Sequence, residues 1–310
     1  MRLSLAIEGF LLYRAGVGSM ATVNEYRNTL KKWVAYIGDV DTSELNGDMV
    51  RRFLYHLRIE EELAPKSVKN AWIGLSSFFT WLENEMGIEH VIRRYKIKMP
   101  AAGSREIIPL SKNDVKVLLM ACERTAVWKS TKRAPTTTQR ATRFRDRAIV
   151  LVLLDTGIRV SEMCNLLIRD VDMKSGAIQV RRGKLDKGRT VYIGNVARDA
   201  LWRYVSRRKN PRADEPVFET SNGQAMDRSA VRKLLLTAGQ RAEIVESVTP
   251  HRLRHTFAIT YLRNGGDVYT LQRLLGHSTM EMVRRYLALA QTDVADAHRR
   301  ASPVDNWRLG

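Results

Sequence analysis

The chain has 310 residues, enough for two domains with separate cores, and its 44% hydrophobic and 27% charged residues are ordinary for a globular protein. Its 52 Lys and Arg residues against 33 Asp and Glu residues give a net charge of +19, which favours a polyanionic partner. There is no basic amphipathic helix, no secretory signal and no run of 18 apolar residues, so we expect a cytoplasmic protein without membrane contact.

The charge is concentrated in the second part of the chain. Residues 1–100 hold 14 basic and 12 acidic side chains, whereas residues 101–310 hold 38 and 21. Solubility alone does not require so large an excess, so nucleic acid is the favoured partner. The two cysteines, Cys122 and Cys164, lie in apolar helical patterns and are expected to be core residues rather than a disulfide or metal site.

Residues 1–95 predict a bundle of four helices. Apolar residues recur at helical spacing from Leu3 to Ala15, after a capping Ser19, from about Gly47 to Glu62, and from Pro65 onward. Residues 96–109 then lose the helical period and contain proline, glycine and lysine, which is typical of a linker.

The second domain, residues 110–310, begins with a Ser-x-x-Asp capping box at 111–114. Residues 124–147 carry eight Lys or Arg and one acid, and this stretch is either an extra phosphate-binding loop or a disordered insertion. A helix at 145–154 is followed by two hairpin strands at 177–180 and 190–193. Five further helices are predicted at 196–209, 227–241, 250–264, 267–275 and 279–289, before a tail at 290–310. The fold class is therefore mainly α with a small antiparallel β-sheet.

Four side chains near the end of the chain suit chemistry on a phosphodiester. His251 and Arg254 are three residues apart and share a helix face, His277 follows a glycine turn, and Tyr286 lies nine residues beyond it. Arginine grips phosphate oxygens, histidine donates or moves protons near neutral pH, and tyrosine can form a covalent phosphoester.

Each of these residues alone would more often be a packing residue. His255 is expected to be one, because it lies one residue past Arg254 and should face elsewhere, and Tyr261 and Tyr269 are interpreted in the same way. A further arginine, Arg159, follows a glycine turn about ninety residues upstream and makes a catalytic role the favoured interpretation.

Taken together, these motifs resemble those of the tyrosine recombinase (phage integrase) family. The matching residues are T-G-I-R-V-S-E at 156–162, R-G-K at 182–184, H-R-L-R-H at 251–255, L-L-G-H-S at 274–278 and Tyr286. The resemblance spans residues 145–288. It implies an N-terminal core-binding bundle that clamps DNA and a catalytic domain that performs site-specific recombination through a 3′-phosphotyrosyl intermediate and a Holliday junction. No metal or other cofactor is implied.

Within this resemblance, the charge of the transition state assigns the roles. Arg159 and Arg254 are predicted to grip the non-bridging oxygens, His277 to add a third donor, and Tyr286 to attack phosphorus.

The remaining candidates handle protons or support the site. The resemblance makes Lys184 the general acid for the leaving 5′ oxygen, with Lys187 as the competitor. His251 would accept the tyrosine proton or orient the phosphate, and Glu162 and Asp146 would support the catalytic side chains or be plain surface carboxylates.

Further basic residues are predicted to contact DNA: Lys31, Lys32, Lys66, Lys69, Lys96, Lys98, Arg181, Arg182, Lys187 and Arg252. The resemblance also implies a homotetramer on duplex DNA, and accessory DNA-bending or directionality proteins are further candidate partners. Trp307 in the tail would contact a neighbouring subunit, or else fold onto its own.

Two other classes stay open at this stage. A type IB topoisomerase uses a similar set of residues without exchanging partners, and a non-catalytic DNA-binding regulator would fit the charge. Within the recombinases, the sequence does not separate chromosome dimer resolution from phage or transposon integration.

Overall fold

The computed structural model describes residues 1–103, 107–126, 136–181, 188–277, 279–290, 298 and 302–307. The chain divides into two compact units, Met1–Glu106 and Ile107–Gly310, and the division falls inside the predicted linker. The prediction of a mainly helical chain with a small antiparallel sheet is confirmed.

The described residues of the first unit form these α-helices: α1 (Leu3–Val17), α2 (Met20–Ile37), α3 (Gly47–Tyr55), α4 (Pro65–Met86) and the short α5 (Val91–Arg94). Ser19 starts α2 as predicted, because its side chain accepts a hydrogen bond from the amide of Thr22. Helix α3 is shorter than predicted and continues as one π-helical turn, His56–Glu60.

Aromatic side chains fill the centre of the first unit. The Trp33 ring meets Phe78 and Phe79 edge-on, with ring centroids 6.2 and 5.6 Å apart, and all three side chains are fully buried. Edge-to-face packing of this kind adds to the free energy gained by burying the rings.

The second unit contains helices and one hairpin in this order: α6 (Lys112–Glu123), α7 (Arg143–Thr156), α8 (Val160–Cys164), β1 (Ala177–Val180), β2 (Arg189–Tyr192), α9 (Asn195–Val205), α10 (Arg228–Arg241), α11 (Pro250–Arg263), α12 (Val268–Leu275) and α13 (Glu281–Ala290). A single helical turn, Pro303–Asn306, follows. The strands are antiparallel and pair Ala177 with Tyr192 and Val180 with Arg189, so β2 begins one residue earlier than predicted.

Helix α7 is the centre of the larger core of this unit. Its residues 148–150 and 152–153 are buried, and it packs against α6, α9 and α11. The capping box at the start of α6 is confirmed, because Ser111 and Asp114 exchange side-chain-to-amide hydrogen bonds of 3.0 and 2.8 Å. Cys122 and Cys164 are buried, and burial raises the pKa of their thiols to about 12 and about 11.

Helix α7 ends at Gly157, which has a positive φ of 60° and lies against Phe257. A Cβ atom at this position would lie 2.2 Å from a ring carbon of Phe257, so only glycine fits the turn. This turn directs the chain into the segment that carries Arg159. A smaller apolar cluster formed by α11, α12 and α13 lies beyond it and includes Ile259, Leu275 and Val283.

Candidate active site

Segments that are far apart in sequence meet at the end of α7. Arg159 precedes α8, Arg254 lies in α11, His277 follows the glycine turn that ends α12, and Tyr286 lies in α13. Hydrogen bonds and ring contacts connect these four side chains or the segments that carry them.

Arg254 is held firmly in the interior. Only 5% of the residue is exposed, and its guanidinium donates to the carbonyls of Gly157 and Leu275 at 2.6 and 2.7 Å. It also lies 2.9 Å from Nε2 of His277. Burial, followed by the charge of Arg159, lowers its pKa to about 10, so the guanidinium stays charged at neutral pH. This network fixes the orientation of the cation.

Arg159 is more open, and one carboxylate orients it. Its side chain is 39% exposed, and it donates to Glu162 at 3.0 Å and to the carbonyl of Gly276 at 3.3 Å. Glu162 also accepts two hydrogen bonds from Arg189, at 2.9 and 2.8 Å, and Arg189 donates to the carbonyl of Leu274 at 2.6 Å. Glu162 therefore ties β2 and the end of α12 to the segment that carries Arg159.

The ionisation of Glu162 should contribute to stability. Burial raises the pKa of Glu162, but hydrogen bonds and charge from Arg189 and Arg159 outweigh it and hold the pKa at about 2. A carboxyl whose pKa is lowered on folding stabilises the fold above its unfolded pKa and loses that contribution as the pH falls through its folded pKa.

We expect Glu162→Gln to lower the free energy of unfolding at pH 7 by about 3 kcal/mol, and this difference from the wild type should shrink as the pH falls from 4.5 toward 2. Urea unfolding at a series of pH values measures it, with Glu281→Gln on the surface as the control. A difference that does not change with pH would contradict this account of Glu162.

Tyr286 lies inside the site rather than on its surface. Only 5% of the residue is exposed, and its ring lies nearly parallel to that of His277, at 11° and a centroid distance of 6.4 Å. Burial raises the pKa of its phenol, and the charges of Arg254 and Arg285 partly offset that effect. The phenol is therefore protonated at neutral pH.

His255 does not face away from the site, so the prediction for this residue is wrong. Its Nδ1 lies 2.8 Å from the hydroxyl of Tyr286, and the two ring centroids are 5.6 Å apart. The physical reason is helical geometry, because His255 is four residues after His251 and thus shares its face. The repeat His-x-x-Arg-His contained this signal, since positions i, i+3 and i+4 all lie within one stripe of a helix.

The other predicted supporting residues lie in different surroundings. His251 lies in the first turn of α11 and is exposed. Asp146 is buried, and it accepts hydrogen bonds from Arg140, Arg145 and Thr142, a separate cluster at the start of α7. Lys184, Lys187 and Arg182 lie outside the described residues, as does the rest of the stretch 182–187 between the two strands.

The basic residues predicted to contact DNA differ in their surroundings. Among those of the first unit, Lys32 pairs with Glu61, Lys69 is half-buried, and the others are exposed: Lys31, Lys66, Lys96 and Lys98. Arg181 pairs with Asp170.

Arg252 is held by contacts within the protein. Its side chain is 12% exposed and donates to the carbonyls of Ile108 and Glu246 at 3.0 and 2.7 Å. It therefore ties the segment before α6 to α11, which leaves it little reach toward DNA.

The ends of the basic stretch at 124–147 are paired with each other. The amide of Thr125 donates to the carbonyl of Thr138 at 2.9 Å, and the amide of Arg140 donates to the backbone carbonyl of Glu123 at 2.9 Å. Residues 127–135 between these ends lie outside the described residues, so both interpretations of this stretch remain predictions.

The sequence interpretation missed two residues of the site, His255 and Arg189. Arg189 reaches Glu162 across 27 positions of sequence, so its role follows from the hairpin register and leaves no local pattern. The described ranges contain no cluster of three His, Cys, Asp or Glu side chains suited to a metal ion. None of the helices in the described part of the chain is both long and apolar enough for a membrane span.

Comparison with known proteins agrees with this architecture. The sequence model of the Phage integrase family matches residues 109–293, and the model of the phage integrase N-terminal SAM-like domain matches residues 16–87. Tyrosine recombinase XerD of Listeria innocua is 29% identical over 306 residues, which cover 95% of this chain and 96% of that protein. Tyrosine recombinase XerA of Thermococcus kodakarensis is 30% identical over 288 residues, which cover 92% of this chain and 90% of that protein.

A solved structure shares the fold. The Tn1549 transposon integrase in complex with a circular intermediate DNA aligns with a TM-score of 0.75 and 18% identity, over 97% of this chain and 99% of that one. Together with this fold, the family matches define an enzyme that breaks and rejoins DNA strands. The chain belongs to the phage integrase family, the tyrosine recombinases, and acts as a site-specific DNA recombinase.

Proposed function

We propose that Tyr286 attacks a DNA phosphodiester, forms a 3′-phosphotyrosyl bond and releases a 5′-hydroxyl. The observation that carries this proposal is the placement of the Tyr286 ring against His277, which in turn contacts Arg254. A nucleophile enclosed beside fixed cations suits a reaction in which negative charge builds up on phosphate oxygens. Mapping the covalent complex on nicked duplexes tests the polarity, and protein attached to a 5′ end would contradict the proposal.

The three predicted donors would stabilise the transition state. Arg254 and His277 are held by buried hydrogen bonds, so little reorganisation is needed when DNA arrives. Arg159 is partly exposed and anchored through Glu162, which leaves its guanidinium within reach of an incoming phosphate. A groove of about 840 Å³ between β2 and α12, lined in part by Arg189, Arg273 and His277, offers space for the DNA backbone beside the site.

Lys184 is proposed as the general acid that protonates the leaving 5′ oxygen, with Lys187 as the alternative. We expect Lys184→Ala to slow cleavage of ordinary DNA by about 10²- to 10⁴-fold, because the alkoxide then leaves without a proton. A substrate with a 5′-bridging phosphorothiolate should be affected little, since a thiolate is a good leaving group. Timed cleavage of both substrates makes the comparison, with Lys187→Ala as the matched control. If Lys184→Ala slowed cleavage of both substrates equally, Lys184 would not be the general acid, and Lys187 or water would take that role.

The proposed partner is a duplex recombination site bound by four copies of the chain, because exchange of two strand pairs uses four active sites. Both the N-terminal bundle and the basic second unit would grip the duplex, with the exposed lysines of the first unit on its phosphates. Trp307 is 70% exposed, which supports its proposed contact with a neighbouring subunit over packing on its own subunit. Accessory DNA-bending or directionality proteins and a cytoplasmic location remain parts of this proposal.

A further inference from the structure

The hydroxyl of the nucleophile has a well-defined neighbour inside the protein. Nδ1 of His255 lies 2.8 Å from the hydroxyl oxygen of Tyr286, within the distance of a strong hydrogen bond. Helices α11 and α13, which carry the two residues, pack directly against each other. The contact is therefore supported by two packed helices and does not depend on a surface loop.

The charge states of the pair allow the phenol to donate this hydrogen bond. Burial, with the nearby charges of His251 and Arg254, lowers the pKa of His255, and burial raises the pKa of Tyr286. At neutral pH both groups are then uncharged. A neutral imidazole with its proton on Nε2 has a bare Nδ1, to which the phenol donates its hydrogen.

We propose that His255 is the catalytic base that accepts the phenol proton of Tyr286 during DNA cleavage, in the place assigned from sequence to His251. This inference rests on the proposed function of Tyr286 as the nucleophile. As the phenol oxygen bonds to phosphorus, its proton passes to Nδ1 of His255, and the bond from phosphorus to the 5′ oxygen breaks. The leaving oxygen takes a proton from the general acid. Rejoining reverses each transfer, so His255 returns its proton to the phenolate.

Bound DNA would favour this transfer. In the protein alone, His251 and Arg254 on α11 oppose a positive charge on His255, and the phenol of Tyr286 on α13 is neutral. A phosphate bound at Arg159 and Arg254 brings negative charge to the site and stabilises an imidazolium there. The proton transfer is thereby linked to the presence of substrate.

Two substitutions separate a base from a positioning contact. His255→Asn places an amide oxygen near the position of Nδ1, so the variant keeps a hydrogen-bond acceptor but cannot take a proton. His255→Ala opens space into which free imidazole can diffuse. We expect His255→Asn to slow formation of the covalent complex on a nicked site by about 10²- to 10⁴-fold. Added imidazole should restore the rate of His255→Ala at least about tenfold, whereas His251→Ala should gain nothing from it.

The controls keep this inference separate from the proposed function. Gel shifts and melting temperatures show whether each variant binds DNA and folds, and the Asn variant serves if the Ala variant is unstable. A wild-type cleavage rate for His255→Asn, or a His255→Ala variant whose rate imidazole leaves unchanged, would overturn only the proposed role of His255. The role of Tyr286 would be unaffected. A covalent complex formed by a variant without the Tyr286 hydroxyl would instead overturn the proposed function.

Discussion

Tyr286→Phe should abolish the covalent protein–DNA complex while preserving specific DNA binding. The substitution removes the oxygen that would bond to phosphorus, so we expect the adduct to fall by at least about three orders of magnitude. The ring would keep its place in the apolar cluster of α11, α12 and α13, so the fold should survive. His255 would lose its hydrogen-bond partner, which should cost only about 1 kcal/mol of stability.

Denaturing gels of end-labelled DNA measure the covalent complex, and gel shifts measure binding. Tyr261→Phe is the matched control, because Tyr261 lies in α11 and packs against Phe257. The control should form the adduct at the wild-type level. A DNA-linked band of normal intensity from Tyr286→Phe would show that another residue is the nucleophile.

Arg254→Lys should nearly abolish cleavage although it keeps the positive charge. One ammonium group cannot reproduce the fork that donates to the carbonyls of Gly157 and Leu275 and meets His277. Loss of a preorganised donor slows such reactions by about 10²- to 10³-fold. We also expect a lower melting temperature, because two buried carbonyls would be left with poorer partners.

Single-turnover cleavage on a nicked duplex measures this effect, with protein in excess so that weaker binding does not limit the rate. Arg263→Lys, near the end of the same helix, is the control and should cleave normally. A near-normal rate for Arg254→Lys at saturating protein would mean that charge alone suffices at this position.

The sequence predicted the parts of the fold that depend on local patterns. Helix starts at Ser19 and Ser111 follow from side-chain caps. The turn after α12 follows from the glycine at position 276, which adopts a positive φ of 64°. The hairpin strands follow from alternation, and only the bounds of β2 differ, because it runs from Arg189 to Tyr192 instead of 190–193. The early end of α3 could not be predicted, because the switch to a π-helical turn at His56 leaves no mark in the hydrophobic period.

The site was predictable where residue type and spacing restrict the chemistry. The segments carrying Arg159, Arg254, His277 and Tyr286 meet, as their motifs indicate. Adjacency to Arg254 does not reveal the contact of His255 with Tyr286, whereas the spacing of four residues from His251 does. No pattern could reveal Arg189, because its partner Glu162 lies on another element.

Strand exchange between two duplexes tests the central claim most directly. The DNA site would first be selected from a random pool, and two labelled duplexes of different length carrying it would then be incubated with the protein. A site-specific recombinase should yield joined products of predictable length, together with a four-way junction that accumulates when rejoining is slowed. Nicking and resealing of each duplex without exchanged products would contradict recombination and would indicate a type IB topoisomerase instead. Specific binding without any covalent complex would contradict enzymatic strand breakage itself.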